Sequence, residues 1–206
     1  FVSITSSNLD EFFMVRVASL KDMVHANYKK KDIAGMTASE QLEKINERTR
    51  ELVTLQYNTY NRSLVPLMHQ HGIVVMDAFE DLSEAQAAFV DRYFEDNVYP
   101  VLTPMAVDAS RPFPLIRNKT LNIAALLSKK KGKAEKEEIE FATVQVPSVL
   151  PRLVHIPSED GNEKTFILLE QVIERNIDKL FLNYDVLCAY PYRVMRNADL
   201  SIDEDE

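Results

Sequence analysis

The stretch from Tyr99 to Leu115, YPVLTPMAVDASRPFPL, holds four prolines in 17 residues and shows no helical repeat. Proline fixes its own φ and lacks a backbone N–H, so a run this rich in proline favours extended chain over helix. Before it, apolar residues recur with a helical period, and after it they alternate as in strands. The sequence therefore predicts an extended connection between a helical part, residues 1–107, and an α+β part, residues 108–206.

Three helices are predicted in the first part. The second begins near Thr37 or Ser39 and runs toward Met68, with a kink or restart at Pro66, and the third follows Ser83 and ends near residue 97. The first is marked by a 3.6-residue apolar repeat at Leu9, Phe12, Phe13, Val17, Leu20 and Val24. Short connections between the three favour an antiparallel helical bundle.

The second part reads as α+β with a mostly antiparallel sheet. The strand candidates are residues 121–127, 140–146, 152–156, 166–169 and 186–195, the fourth of which is also read as the lead into a helix over 171–180. Residues 128–140, SKKKGKAEKEEIE, read as a charged hairpin loop that is solvated. The acidic end Asp203–Glu206 reads as the start of a helix.

Composition excludes several classes of protein. The net charge of the 206 residues is −8, and both parts are acidic: residues 1–107 carry 10 Lys or Arg against 15 Asp or Glu, and residues 108–206 carry 14 against 17. A nucleic-acid-binding protein normally has a basic excess, so no nucleic-acid partner is expected, although a local basic patch is compatible with this balance.

No apolar run approaches the length of a transmembrane helix, and no leader peptide is recognisable. One cysteine, Cys188, rules out an internal disulfide framework and reads as a buried thiol. A cytoplasmic location is expected, with peripheral membrane association left open.

Motifs for metal or nucleotide chemistry are scarce. One cysteine and four scattered histidines cannot form a zinc motif, and no metal site is predicted. Four glycines in the whole chain form neither a GxxxxGK[ST] nor a GxGxxG loop.

The stretch SSNLDEFFMVRVA, Ser6 to Ala18, allows two interpretations of Asn8. Asn8 followed by Glu11 resembles a capping box, and Asp10 and Glu11 suit the positive end of a helix dipole. A capping Asn uses only its carbonyl oxygen, so its NH₂ remains able to donate. A carboxamide also matches the donor and acceptor on the edge of adenine. Both a helix cap and a ligand contact remain open on the residues alone.

SSNLDEFFMVRVASL strongly resembles the start of the N-terminal domain of bacterial polyphosphate kinase, the family that synthesises long-chain polyphosphate. The resemblance continues in residues 98–127, VYPVLTPMAVDASRPFPLIRNKTLNIAALL, and 142–157, ATVQVPSVLPRLVHIP. It resumes in FILLEQVIERNIDKLF and YRVMRNADLSIDEDE. These stretches follow family order over nearly the whole chain, which makes the resemblance specific.

The resemblance implies a parent enzyme that transfers the terminal phosphate of ATP reversibly to polyphosphate through a phosphohistidine, with Mg²⁺. Family members have an N-terminal domain, a head domain associated with homodimerisation, and two catalytic domains. This chain resembles the first domain and most of the second, both truncated. Since the catalytic domains are not among these residues, we expect the 206 residues alone to be inactive.

Residue roles follow the same resemblance. The Asn of the family's S-x-N-L-D-E-F motif contacts ATP, and here it is Asn8. Asp10 and Glu11 are expected to cap the helix and hold Asn8 in place. Arg16 is expected either to face the nucleotide or to pair with an acid. None of the four histidines, His25, His69, His71 and His155, lies in the family's catalytic motif.

A second class of function stays open beside this one. A helical bundle followed by an α+β domain could also be a non-enzymatic module that binds another protein. The sequence that follows Glu206 in the parent gene would separate the two.

Overall fold

The computed structural model describes residues 1–107, 113–129, 139–158 and 163–198. Two compact units form the chain, one of Phe1–Leu67 with Met195–Glu206 and one of Met68–Val194. The middle of the predicted charged loop and the acidic end of the chain lie outside the described residues.

Two antiparallel helical rods dominate the first unit. The first rod is α1 (Val2–Phe12), a π-helical segment (Phe13–Val17) and α2 (Ala18–His25). The second is α3 (Ala38–Thr59), a π-helical segment (Tyr60–Leu64) and α4 (Val65–Gln70). Gln56 of α3 donates to the carbonyl of Val2 at 2.8 Å, and Arg16 donates to Gln41 of α3 at 2.9 Å, so the rods run in opposite directions.

The start of α3 confirms a prediction. Thr37 is its N-cap: the Thr37 hydroxyl accepts from the Glu40 backbone N–H at 3.3 Å, and the Glu40 carboxylate accepts from the Thr37 N–H at 2.7 Å. The predicted restart near Pro66 is also found, since Pro66 is the second residue of α4.

The predicted cap at Asn8 is wrong. Helix α1 begins at Val2, so Asn8 and Glu11 lie inside it and form no capping box. The polar residues before Asn8 are accommodated in the helix because their hydroxyls bond back one turn: Thr5 Oγ1 donates to Phe1 O at 3.1 Å, and Ser7 Oγ to Ser3 O at 3.3 Å.

Among the described residues of the second unit, seven strands form two sheets. The three-stranded sheet has the order β1-β6-β5, with β1 and β6 parallel, and the four-stranded sheet is antiparallel in the order β2-β4-β3-β7. The strands are β1 (Ile73–Val75), β2 (Pro104–Val107), β3 (Leu121–Lys129), β4 (Ile139–Gln145), β5 (Leu153–Ile156), β6 (Lys164–Leu168) and β7 (Tyr184–Arg193).

Helices of the second unit pack against these sheets. α5 (Glu84–Tyr93) follows a 3₁₀ turn (Phe79–Asp81) and continues as a π-helical segment (Phe94–Val98) and a 3₁₀ turn (Tyr99–Val101). α6 (Leu169–Arg175) is followed by a 3₁₀ turn (Ile177–Leu180). Ser83 caps α5 as predicted, and it forms a capping box with Gln86.

Helix α5 packs into the hydrophobic core of the second unit. Val90, Phe94 and Val98 have no exposed surface and join the cluster formed by Ile123 of β3 and Ile173 of α6. A four-residue spacing places these three side chains on one face of the helix. The predicted third helix of the bundle therefore packs with the sheets, and the helical region of the first unit is a two-rod hairpin.

The predicted fold class is confirmed: a helical region precedes an α+β part with a mostly antiparallel sheet. The domain boundary between residues 107 and 108 stays a prediction. Strands β1 and β2 precede that boundary and pair with β6 and β4, which follow it. Cys188 lies in β7 as predicted but is only half-buried, because β7 is an edge strand.

Candidate functional site

Asn8, the residue predicted to contact a ligand, lies on an exposed part of α1. Its carboxamide makes no hydrogen bond to any of the residues that the structure describes. Both the carbonyl oxygen and the NH₂ are thus able to bind a ligand, which a capping role would not have allowed.

The orientation of α1 follows from its contacts with α3. Gln56 Nε2 donates to Val2 O and to Ser6 Oγ, so this side of α1 faces α3. Successive residues of an α-helix are about 100° apart, which places Asn8 roughly 200° from Ser6. Asn8 therefore lies on the side of α1 that faces away from α3.

Arg16 lies in the π-helical segment that follows α1, and it is exposed. Its guanidinium donates to Gln41 Oε1 at 2.9 Å, while Gln41 Nε2 donates to the carbonyl of Met36 at 3.4 Å. The amide of Gln41 is neutral, so this contact orients Arg16 without balancing its charge. A guanidinium has five N–H donors, and those not used here remain able to bind an anion.

The structure does not bring Asn8 and Arg16 together. The two residues are roughly 10–12 Å apart along one rod, and Arg16 is directed toward α3 whereas Asn8 is directed away from it. A nucleotide base held by Asn8 would need to extend along the rod for its phosphates to reach Arg16.

A cavity of about 430 Å³ lies beside the same rod. One wall is a helical stripe at four-residue spacing, Phe13, Val17, Lys21 and His25, and the other is formed by residues 195–197. Asn197 Nδ2 donates to Asp22 Oδ2 at 3.4 Å, and the N–H of Ala198 donates to the carbonyl of Met14 at 3.0 Å, which fixes this segment against the rod. Neither Asn8 nor Arg16 lines the cavity.

Sequence reasoning did not select Lys21 or His25 as site residues. The signal that could have found them is the stripe itself, since a four-residue spacing places an aromatic, an aliphatic and two nitrogen-bearing side chains on one face. The other wall of the cavity is formed by residues 195–197, which lie near the opposite end of the sequence. No local sequence pattern predicts that these residues pack beside the first rod.

Metal ions in proteins are commonly held by clusters of His, Cys, Asp and Glu side chains. Within residues 1–107, 113–129, 139–158 and 163–198, no three His, Cys, Asp or Glu side chains are placed to hold a metal ion. No step through Mg²⁺ is therefore assigned to the described residues.

Comparison with known families identifies the chain. A model of the polyphosphate kinase N-terminal domain matches residues 1–76, and a model of the polyphosphate kinase middle domain matches residues 85–206. The chain belongs to the polyphosphate kinase family. The two matches lie in the order that the sequence resemblance implied.

Individual members of the polyphosphate kinase family agree with this result. The chain is 50% identical over 206 residues to the polyphosphate kinase of Lactiplantibacillus plantarum and 48% identical to that of Halalkalibacterium halodurans. In both cases the match covers 100% of this chain and 28% of the relative. The crystal structure of polyphosphate kinase from Porphyromonas gingivalis matches with a TM-score of 0.81 and 28% identity, over 98% of this chain and 29% of that one.

The chain is much shorter than the relatives that it matches. It spans less than a third of the length of the relatives it matches, so the activity of a whole polyphosphate kinase is not thereby assigned to these residues. In the described part of the chain, no helix has the length and apolar character needed to cross a membrane.

Proposed function

We propose that these 206 residues are the N-terminal and middle part of an ATP:polyphosphate phosphotransferase. The parent enzyme would move the terminal phosphate of ATP reversibly to polyphosphate through a phosphohistidine that lies outside these residues. The observation that carries the proposal is the match to two polyphosphate kinase domain models in family order along the chain. Mg²⁺, where the rest of the enzyme binds it, would neutralise charge on the phosphates.

Within that enzyme, the helical unit would contribute Asn8 to nucleotide recognition. The exposed carboxamide presents an N–H donor beside a carbonyl acceptor, which is the pattern that pairs with the edge of adenine. Because α1 is bound to α3 through Gln56, Asn8 is carried on a supported helix rather than on a loop. This arrangement favours positioning of the base.

The chemical step would belong to other residues. Phosphoryl transfer needs concentrated positive charge around the transferring group, and this chain is acidic and lacks a phosphate-binding glycine loop. We therefore expect the 206 residues neither to autophosphorylate nor to make polyphosphate. Homodimerisation through residues 108–206 and a cytoplasmic location are part of the same proposal.

Kinetics of the full-length enzyme test the role of Asn8. Because Asn8 lies inside a helix, Asn8→Ala removes the carboxamide without removing a cap, and Ala is the better helix former. Loss of one neutral hydrogen bond corresponds to about a two- to tenfold change, which should appear as a higher KM for ATP. If Asn8 reads the adenine edge, the change should be smaller with GTP as the substrate.

Asn46 offers a matched control, since it is an exposed asparagine in the interior of α3. Asn46→Ala should leave the KM for ATP unchanged while affecting thermal stability as Asn8→Ala does. Equal ATP kinetics for the two variants would remove Asn8 from the nucleotide site.

A further inference from the structure

A basic cavity of about 560 Å³ lies in the second unit. Three of its lining residues are cationic, Arg117, Lys119 and Arg152, and none of the described residues that line it is acidic. This cluster contrasts with the net charge of −8 for the whole chain. Charges more than about 8 Å away are largely screened at physiological salt, so the local cations determine what the cavity attracts.

A tight turn before β3 places two of the cations. Lys119 has a φ of +60°, in the left-handed region that residues with a Cβ rarely adopt. The turn is held from several sides: the N–H of Lys119 donates to the carbonyl of Val194 at 2.9 Å, and the hydroxyl of Thr120 donates to the carbonyl of Arg117 at 2.8 Å. The backbone that carries Arg117 and Lys119 is thus fixed before any ligand arrives.

The charges of Arg117 and Lys119 are unbalanced. Neither side chain has a hydrogen-bond or ion-pair partner among the described residues. Arg152 differs, since its guanidinium holds the carboxylate of Glu170 with an N–O distance of 2.6 Å. The cavity therefore presents two uncompensated positive charges beside a third that is balanced.

Neutral polar groups line another part of the cavity. Gln145 lies at the end of β4 and Ser148 in the loop that follows it, and the Ser148 side chain is exposed. An amide and a hydroxyl can each donate a hydrogen bond to an oxyanion. Cations and neutral donors without a carboxylate are the surroundings that phosphate oxygens favour.

We propose that this cavity is a binding site for a phosphate chain. The inference rests on the proposed function only for the identity of the chain as inorganic polyphosphate. Guanidinium groups bind phosphate oxygens in pairs, and an ammonium acts as a point charge. The volume lies within the range of ligand cavities and exceeds the need of a single phosphate, which favours several linked phosphates.

Binding to the 206-residue chain tests the site without any catalytic step. The probes are a polyphosphate of about 15 phosphates and orthophosphate at the same total phosphate concentration, titrated by calorimetry in buffers of increasing salt. The wild-type chain should bind polyphosphate, and the affinity should fall as salt rises. Arg117→Ala with Lys119→Ala should weaken binding about tenfold or more, since two charge-assisted contacts are lost.

Two further variants keep the test specific. Lys29→Ala with Lys30→Ala removes the same number of positive charges from an exposed segment of the first unit and should leave polyphosphate binding within about twofold of wild type. Glu170→Gln removes the charge that balances Arg152 and should tighten binding by about two- to fivefold. Thermal melts establish that each variant is folded.

The outcomes separate the sources of phosphate. Tighter binding of polyphosphate than of orthophosphate, lost only in the Arg117 and Lys119 variant, supports a phosphate-chain site. Equal binding of both probes with the same residue dependence supports the site with free phosphate as its ligand. Absence of binding, or equal loss in both double variants, overturns it. These binding measurements do not involve Asn8 or ATP turnover, so failure of this proposal and failure of the proposed function can be told apart.

Discussion

The guanidinium of Arg152 holds both carboxylate oxygens of Glu170, a residue that is only 5% exposed. Nε of Arg152 lies 3.2 Å from each oxygen, and a terminal nitrogen lies 2.6 Å from one of them. The hydrogen bonds to Glu170 raise the pKa of Arg152. The pair connects the chain just before β5 to the first turn of α6, which provides much of the core.

Arg152→Ala should therefore destabilise the second unit, because it leaves the buried carboxylate of Glu170 unpaired. Breaking a buried pair from one side is costly, and since Arg152 is itself largely exposed we expect a loss of about 2–3 kcal/mol in the free energy of unfolding. Urea denaturation measures it. Arg48→Ala breaks the exposed pair with Glu51 and should change stability by less than about 0.5 kcal/mol. Equal losses in the two variants would contradict the role assigned to burial.

Local signals in the sequence predicted most elements of the fold. Helical periodicity found the first rod and α3, whose start was placed near Thr37 or Ser39, and the cap of α5 was placed at Ser83. Residues 121–127 were predicted as a strand and correspond to β3, and alternation found β4 and β7. The cap at Asn8 failed because its pattern imitates a capping box, whereas the hydroxyls of Thr5 and Ser7 satisfy their hydrogen bonds inside the helix.

The packing of helices and strands against one another was harder to predict than their positions along the sequence. The helical repeat of apolar residues identified the buried face of α5, but such a repeat does not show which elements that face packs against. The residues that cluster with Val90 and Phe94 include strand residues much later in the sequence. The same limit applies to the basic cavity, since Lys119 precedes β3 and Arg152 precedes β5, and only the folded unit places both in the lining of one cavity.

Two fragments would locate the domain boundary. Residues 68–194 retain the whole buried cluster of the second unit, whereas residues 108–206, which begin at the boundary predicted from sequence, lack Val90, Phe94 and Val98. Each of these buried side chains contributes about 1.5–3 kcal/mol, a large share of the roughly 5–15 kcal/mol that stabilises a domain.

We therefore expect fragment 68–194 to unfold cooperatively on heating and fragment 108–206 to show no cooperative transition. Circular dichroism at increasing temperature distinguishes them. A cooperative transition of similar midpoint in fragment 108–206 would support the sequence-predicted boundary.

The carboxyl group of Glu174 in α6 makes the stability of the folded protein depend on pH. The side chain lines a cavity of about 500 Å³, and one of its oxygens is buried without a hydrogen-bond partner in the part of the chain that the structure describes. Burial, and then the carboxylates of Glu170 and Glu80, raise its pKa from 4.5 to about 7. Since the folded state binds this proton more tightly than the unfolded state, the contribution to stability is full below pH 4.5 and is lost as pH rises through 7.

Glu174→Gln keeps the shape of the neutral acid and cannot ionise, so its melting temperature should match wild type near pH 4 and exceed it above pH 7. Solvent reaching this partly exposed carboxyl group reduces the effect to roughly 1 kcal/mol, or about 2–4 °C. Calorimetric melts at pH 4, 5.5, 7 and 8.5 measure the difference. Glu43→Gln, on an exposed position of α3, removes no buried charge and should give a difference that is flat with pH. A flat difference for Glu174→Gln as well would show that its carboxylate ionises without cost in the folded protein.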